Sequence, residues 1–251
     1  IRVYLPQTRE LYWWTKDHSS LKSAPIGAMP PASRNSLSPI SWALKKVNLS
    51  FGAQNVLKDF NLEVPSGKIT VLRGPSGVGK STVLGILAGV QPPTSGEVLI
   101  NGNPSPVNAE VQAGRVRFGF VGPEPIVIGG SLRENILFGT DAPPSEADIE
   151  ECLKLASCQD FIASHGKGLE RVINDRGEGL STGQKQRLSM ARALLRNPNA
   201  LLLDEPTANL DDKTKEMIKQ SLRALRGKVT IVIATHDDSL AEIADQLIAF
   251  T

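Results

Sequence analysis

Between an apolar strand and a helix, residues 74–81 read Gly-Pro-Ser-Gly-Val-Gly-Lys-Ser, and few local structures satisfy that arrangement. Lys68-Ile-Thr-Val-Leu72 has the composition of a buried strand, and the residues from Ser81 to Ala88 have a helical pattern. Three glycines within the turn let the backbone curl so that successive N–H groups point inward at one spot. The helix that opens near Lys80 turns the positive end of its dipole on the same spot. A cradle of this kind suits an anion with several oxygens, and Lys80 adds a charge to it. The bland alternative is a tight strand-to-helix turn with an incidental lysine, which does not account for the flanking elements.

The run matches the Walker A pattern G-x-x-x-x-G-K-[ST]. On that reading the backbone of Gly74, Pro75, Ser76, Gly77, Val78 and Gly79 wraps phosphate oxygens. Lys80 reaches the β- and γ-phosphates of ATP, the Ser81 hydroxyl ligates Mg²⁺, and Thr82 adds a phosphate contact.

A second feature lies far downstream. Ala200-Leu-Leu-Leu-Asp204-Glu205 is an apolar strand that ends in two acids. Alone this is a weak signal, because Asp204 and Glu205 could simply cap the helix after Pro206. Two acids at the carboxyl end of a buried strand, downstream of a phosphate loop, carry a sharper reading, since ligands of open α/β sheets bind at that end. Asp204 then holds Mg²⁺, and Glu205 orients or deprotonates an attacking water beside the γ-phosphate.

The remaining pattern frames these two motifs. Leu44–Phe51 and Phe60–Val64 read as strands with Gly52 in the turn, and Glu97–Asn101 and Val116–Val121 as further strands. From about Ser145 to Arg196 the period is helical, broken near Asp175–Gly179. Val229–Ala234, like Ala200–Leu203, fits a central parallel strand buried on both faces. Strands alternating with helices imply an open α/β sheet with right-handed crossovers. Residues 1–43, rich in Pro, Ser and Ala after Trp13 and Trp14, have a linker's composition. The globular domain is expected over residues 44–251.

Composition narrows the partners. A net charge of +2 gives no argument for a nucleic-acid or anionic-surface partner. Cys152 and Cys158 are too few for a disulfide framework and read as reduced thiols, and His18 and His165 carry no motif. No apolar run has the length of a membrane-spanning helix. The chain begins at Ile1 rather than Met, so it reads as a piece of a longer or processed polypeptide whose remainder could hold membrane spans.

Leu180-Ser181-Thr182-Gly183-Gln184 resembles the signature sequence of ABC (ATP-binding cassette) ATPases, usually LSGGQ, and like it precedes a helical stretch upstream of the second acidic motif. Asn209-Leu-Asp211 resembles the D-loop. His236, just past an apolar strand, matches the switch histidine, and Phe51 fits the aromatic position that stacks on adenine, with core packing as the bland alternative. Ser131-Leu-Arg-Glu-Asn-Ile136 and Asp175-Arg-Gly177 resemble export-type members. The resemblance runs from about Leu44 to Thr251 and implies a P-loop ABC-ATPase fold: a RecA-like parallel-sheet core, an N-terminal antiparallel β subdomain and an α-helical signature subdomain at about 124–195.

It further implies a nucleotide-binding domain that works in pairs. Ser181, Gly183 and Gln184 on one domain would complete the ATP site of a second, and Glu205, His236 and Lys80 would carry catalysis. Transmembrane domains, placed by the resemblance in the same parent chain, would convert ATP-driven closure and opening into export at the cytoplasmic face of a membrane. A soluble ABC-type ATPase and a hydrolysis-impaired half of a heterodimer are the competing readings; neither a coiled-coil insertion nor a second cassette is present. Two positions depart from the family. Thr182 replaces a signature glycine, and Pro123 stands where export-type proteins carry a glutamine. Proline has neither a side-chain donor nor an acceptor, so hydrolysis is expected to be slow or differently coupled, with the adjacent Glu124 as a substitute metal ligand.

Overall fold

A computed structural model describes residues 38–52, 54–104, 106–140 and 143–250. The expected linker lies outside the described residues as far as residue 37. The folded unit starts earlier than the expected boundary at 44, because Ile40 and Trp42 are 3% and 2% exposed in the core. Asn199 also donates through Nδ2 to the Ser38 carbonyl.

Two sheets build the domain. Strands β1 (Trp42–Phe51), β2 (Gln54–Val64), β4 (Ser95–Ile100) and β5 (Asn103–Pro104) form an antiparallel sheet in the order β2-β1-β4-β5. Strands β3 (Ile69–Arg73), β6 (Phe118–Val121), β9 (Ala200–Asp204), β10 (Thr230–Thr235) and β11 (Gln246–Ala249) form a parallel sheet in the order β11-β3-β10-β9-β6. A two-residue pair, β7 (Gly130–Ser131) with β8 (Val172–Ile173), braces the helical region. The expected fold class, parallel core plus antiparallel sheet plus helices, is what the chain adopts.

The central strands β3, β9 and β10 read as largely apolar runs because both of their faces are covered. Leu201, Leu203, Ile231 and Ile233 join one core with the signature-side helices, while Ala200, Leu202, Val232 and Ala234 join the other. Helix α1 (Lys80–Leu87) and the antiparallel sheet pack on that second face. Among the described residues six further helices follow: α2 (Val107–Gln112), α3 (Leu132–Leu137), α4 (Glu146–Leu155), α5 (Gln159–Ala163), α6 (Thr182–Leu195) and α7 (Asp212–Leu225). Among the described residues no helix is long and apolar enough to cross a membrane.

Three local expectations need correcting. Strand β2 begins at Gln54 rather than Phe60; its first half is polar and its register against β1 is interrupted. The stretch read as mostly helical holds strand β8 and a 3₁₀ turn at Gly168–Glu170. The edge strand β11 carried no sequence expectation, since its half-exposed alternation over four residues resembles a loop as much as a strand.

Candidate nucleotide site

The carboxyl ends of the parallel strands bring the motifs to one edge. In the ladder Thr235 pairs with Arg73, Ala234 with Asp204, and Val121 with Leu203. The residues that follow, Gly74, His236, Glu205 and Gly122, therefore emerge side by side although they come from four distant stretches of chain.

The loop after β3 is built for an anion. Gly77 and Gly79 adopt φ of 86° and 101°, in the left-handed region that favours glycine. A Cβ at Gly79 would also meet Val56 Cγ1 at 3.1 Å. Among the described residues the N–H groups of Ser76, Gly77, Val78 and Gly79 find no hydrogen-bond partner, so the loop presents donors without acceptors. Lys80, 5% exposed, folds back and donates to the carbonyls of Gly74 and Pro75, each at 2.7 Å. Ser81 is exposed at the start of α1, with Thr82 beside it half-buried.

Glu205 sits at the centre. Its Oε1 lies 2.9 Å from His236 Nδ1 and 4.0 Å from Lys80 Nζ. Its Oε2 accepts from Thr235 Oγ1 at 3.0 Å and from the His236 backbone N–H at 3.3 Å. Its own N–H donates to the Ala234 carbonyl at 2.8 Å. Glu205 has φ of 48°, a left-handed backbone that costs about 1–2 kcal/mol for an L-residue. These hydrogen bonds hold it there, and strain of this kind concentrates at functional positions. His236 is exposed on its outer side, so the imidazole bridges the carboxylate and the solvent-facing mouth.

Asp204 faces the Ser81 hydroxyl, which favours its ionised form. Burial is the largest influence on Asp204 and drives its carboxyl above the usual range; the Ser81 hydroxyl opposes this, Glu205 adds to it, and Lys80 opposes it. One hydroxyl and one carboxylate at the mouth of a phosphate loop form a hard-oxygen set that fits Mg²⁺.

Helix α6 opens on the signature residues. Ser181 is its N-cap: Oγ accepts from Gln184 N–H at 3.2 Å, and Gln184 Oε1 accepts from Ser181 N–H at 3.0 Å. The Gln184 side chain, expected at the nucleotide, is thus engaged in capping. Ser181 and Thr182 are exposed, but Gly183 is buried, and a Cβ there would lie 2.5 Å from Thr214 Cγ2 on α7. The glycine is required by helix packing. Phe51, at 51% exposure, is not a core residue and is free to offer a ring face. Pro123 and Glu124 are exposed just past β6.

Sequence reasoning missed the residues that hold this centre. Thr235 anchors Glu205, and Asp237 accepts from Thr207 Oγ1 at 2.9 Å and from the Ser239 N–H at 2.9 Å, with Lys215 Nζ at 3.0 Å. Burial pushes the Asp237 carboxyl up, yet the hydrogen bonds from Ser239, Lys215 and Thr207 outweigh it and hold the group well below the ordinary carboxylate range. The acidic pair Asp237–Asp238 after the histidine was the only hint in the sequence.

Comparison with known proteins agrees with this geometry. Residues 57–208 match the family described as ABC transporter. The chain is 38% identical over 201 residues to Multidrug resistance protein 1 of Entamoeba histolytica, covering 79% of this chain and 15% of that protein. It is 37% identical over 196 residues to a multidrug resistance ABC transporter ATP-binding and permease protein of Lactococcus lactis, covering 78% of this chain and 33% of that protein. Among solved structures, that of a bacterial Atm1-family ABC exporter with ATP bound superposes with a TM-score of 0.78 at 28% identity, over 96% of this chain and 42% of that one. The chain thus spans a third or less of those two full-length relatives. It belongs to the ABC transporter family, as one of its ATPase domains.

Proposed function

We propose that this domain binds Mg-ATP in the loop 74–82 and hydrolyses it with Glu205 as the group that orients and deprotonates water. The observation that carries the reading is the convergence on one carboxylate of Lys80, Thr235 and His236 at the phosphate-loop edge. Bound there, Mg²⁺ supplies charge neutralisation at the phosphates, with Ser81 and Asp204 as its protein ligands. Lys80 exchanges its carbonyl partners for phosphate oxygens. Phe51 stacks on the adenine ring.

The unpaired face of the signature helix belongs to a second domain's nucleotide. Ser181 and the opening turn of α6 present a hydroxyl and a helix N-terminus outward. Two domains placed head to tail enclose two nucleotides, and ATP favours closure because it touches both. Transmembrane domains in the parent protein turn that cycle into export at the cytoplasmic face of a membrane.

Disulfide crosslinking in the parent protein tests the pairing. With Ser76→Cys and Thr182→Cys both present, oxidation is expected to link the two ATPase domains only when ATP is added. Absence of a crosslink in every nucleotide condition overturns the paired arrangement. A second reading, an ATP-binding half of a heterodimer with impaired hydrolysis, is favoured by Pro123 alone; the intact Glu205–His236 pair speaks against it.

A further inference from the structure

The loop that carries His236 is tethered from two sides, at Asp237 and at Asp238. Asp237 binds Thr207, two residues beyond Glu205, and Lys215, in the first turns of α7. Its N–H donates to Thr235 Oγ1 at 2.9 Å, and that hydroxyl donates onward to Glu205 Oε2 at 3.0 Å. Asp238, next in the chain, pairs with Arg73 at 2.6 Å, on the residue that precedes the phosphate loop. Asp237 is largely buried while Arg73 is half-exposed and Asp238 exposed, so the inner tether dominates and the outer pair adds little.

From this geometry we infer that Asp237 and Lys215 are positioning residues for hydrolysis: their ion pair sets where the Thr235–His236 segment grips Glu205. The inference rests on Glu205 acting on water as proposed above. Three features support it. The relay is continuous, running from Lys215 through Asp237 and Thr235 to Glu205, with hydrogen-bond distances of 2.9–3.0 Å between its inner members. It spans three elements, the end of β10, the segment after β9 and helix α7, so no single backbone fixes the arrangement. It also begins immediately beyond Asn209-Leu-Asp211: Asp211 is the N-cap of α7, and Lys215 N–H donates to its carbonyl at 3.0 Å. A displacement of segment 209–211 therefore moves Lys215, and with it the carboxylate that locates the histidine loop.

Neither residue touches the phosphate loop through any hydrogen bond or ion pair among the described residues. Loss of the tether is therefore expected to slow turnover without weakening nucleotide binding. Small errors in the position of a catalytic group cost up to about 100-fold in rate.

The test uses the parent protein with Lys215→Met, Asp237→Asn, the double variant and the conservative Lys215→Arg. Expected for Lys215→Met is a kcat lowered about tenfold, an unchanged KM, and faster amide exchange at residues 235–239 with no change at residues 74–82. Lys215→Arg restores the rate, and the double variant is no slower than the slower single one, since both remove one interaction. Wild-type kcat together with wild-type exchange at 235–239 in Lys215→Met overturns the assignment, as does additive loss in the double variant. Glu205→Gln measured alongside separates the two levels: if it still hydrolyses ATP, the reading of the site fails, whereas an inactive Glu205→Gln beside a fully active Lys215→Met removes only the positioning role.

Discussion

His236 Nδ1 lies 2.9 Å from Glu205 Oε1, a contact between the ends of two neighbouring parallel strands. A carboxylate offers only acceptors, so a hydrogen bond across this contact is donated by Nδ1. His236→Ala is expected to lower kcat with little change in KM, because it removes a partner of the reacting carboxylate and leaves the phosphate cradle whole. Steady-state kinetics on the parent protein checks this.

Lys80 is the cation buried at the phosphate loop. Removing a buried, hydrogen-bonded partner costs about 2–5 kcal/mol of binding, so Lys80→Ala is expected to weaken nucleotide binding by that amount in a fluorescence titration. The fold should survive, because its two carbonyl acceptors can turn to water at an open edge.

Gly183 makes a packing prediction independent of chemistry. Gly183→Ala places a methyl 2.5 Å from Thr214 Cγ2 and 3.1 Å from its Oγ1. Overpacking of this kind costs about 1–3 kcal/mol, visible as a lowered denaturant midpoint. Adding Thr214→Ser removes the nearer atom, keeps the hydroxyl that bonds Asp211, and should recover part of the loss.

The two cysteines should be unreactive in the native protein. Burial above all, with Glu151 for Cys152, pushes that thiol up to about 12. Cys158 is likewise pushed up to about 12 by burial, with Arg187 opposing and Asp160 assisting. The thiolate is the reactive form, so alkylation at pH 8 is expected to be far slower than for a free thiol and to become fast in guanidinium. They can therefore remain in the crosslinking background.

Pro123 tests a family departure. The pairing of Val121 with Leu203 sets Pro123 near the level of Glu205, past β6, which neighbours β9 and lies three strands from β3 and its phosphate loop. Restoring a donor and acceptor there, Pro123→Gln is expected to raise the ATPase rate of the full assembly. An unchanged rate removes the idea that proline limits turnover.

Much of this was readable before any coordinates, for specific reasons. Ala200–Leu203 is apolar at every position and Val229–Ala234 at every position but Thr230, a pattern that two covered faces impose on a parallel strand. The glycines of the phosphate loop declare its left-handed turns. Other parts left no such mark. Lys58 and Asp59 are exposed in a strand whose register is broken and where Asp59 sits at φ 45°, so β2 lost its alternation. Strand β8 is two residues long. The Asp237–Thr207–Lys215 cluster unites polar residues from separate elements, and polar residues far apart in a chain carry no periodicity that would pair them. Gln184 carried two readings at once: its place in a motif suggests a ligand contact, and its spacing from Ser181 matches the capping box it forms.

The most direct measurement compares ATP binding and phosphate release by the parent protein with and without Glu205→Gln. Retained binding with phosphate release lowered about 10²–10⁴-fold is the expected result. Phosphate release at the wild-type rate in the variant would contradict the assignment of Glu205 as the group that acts on water.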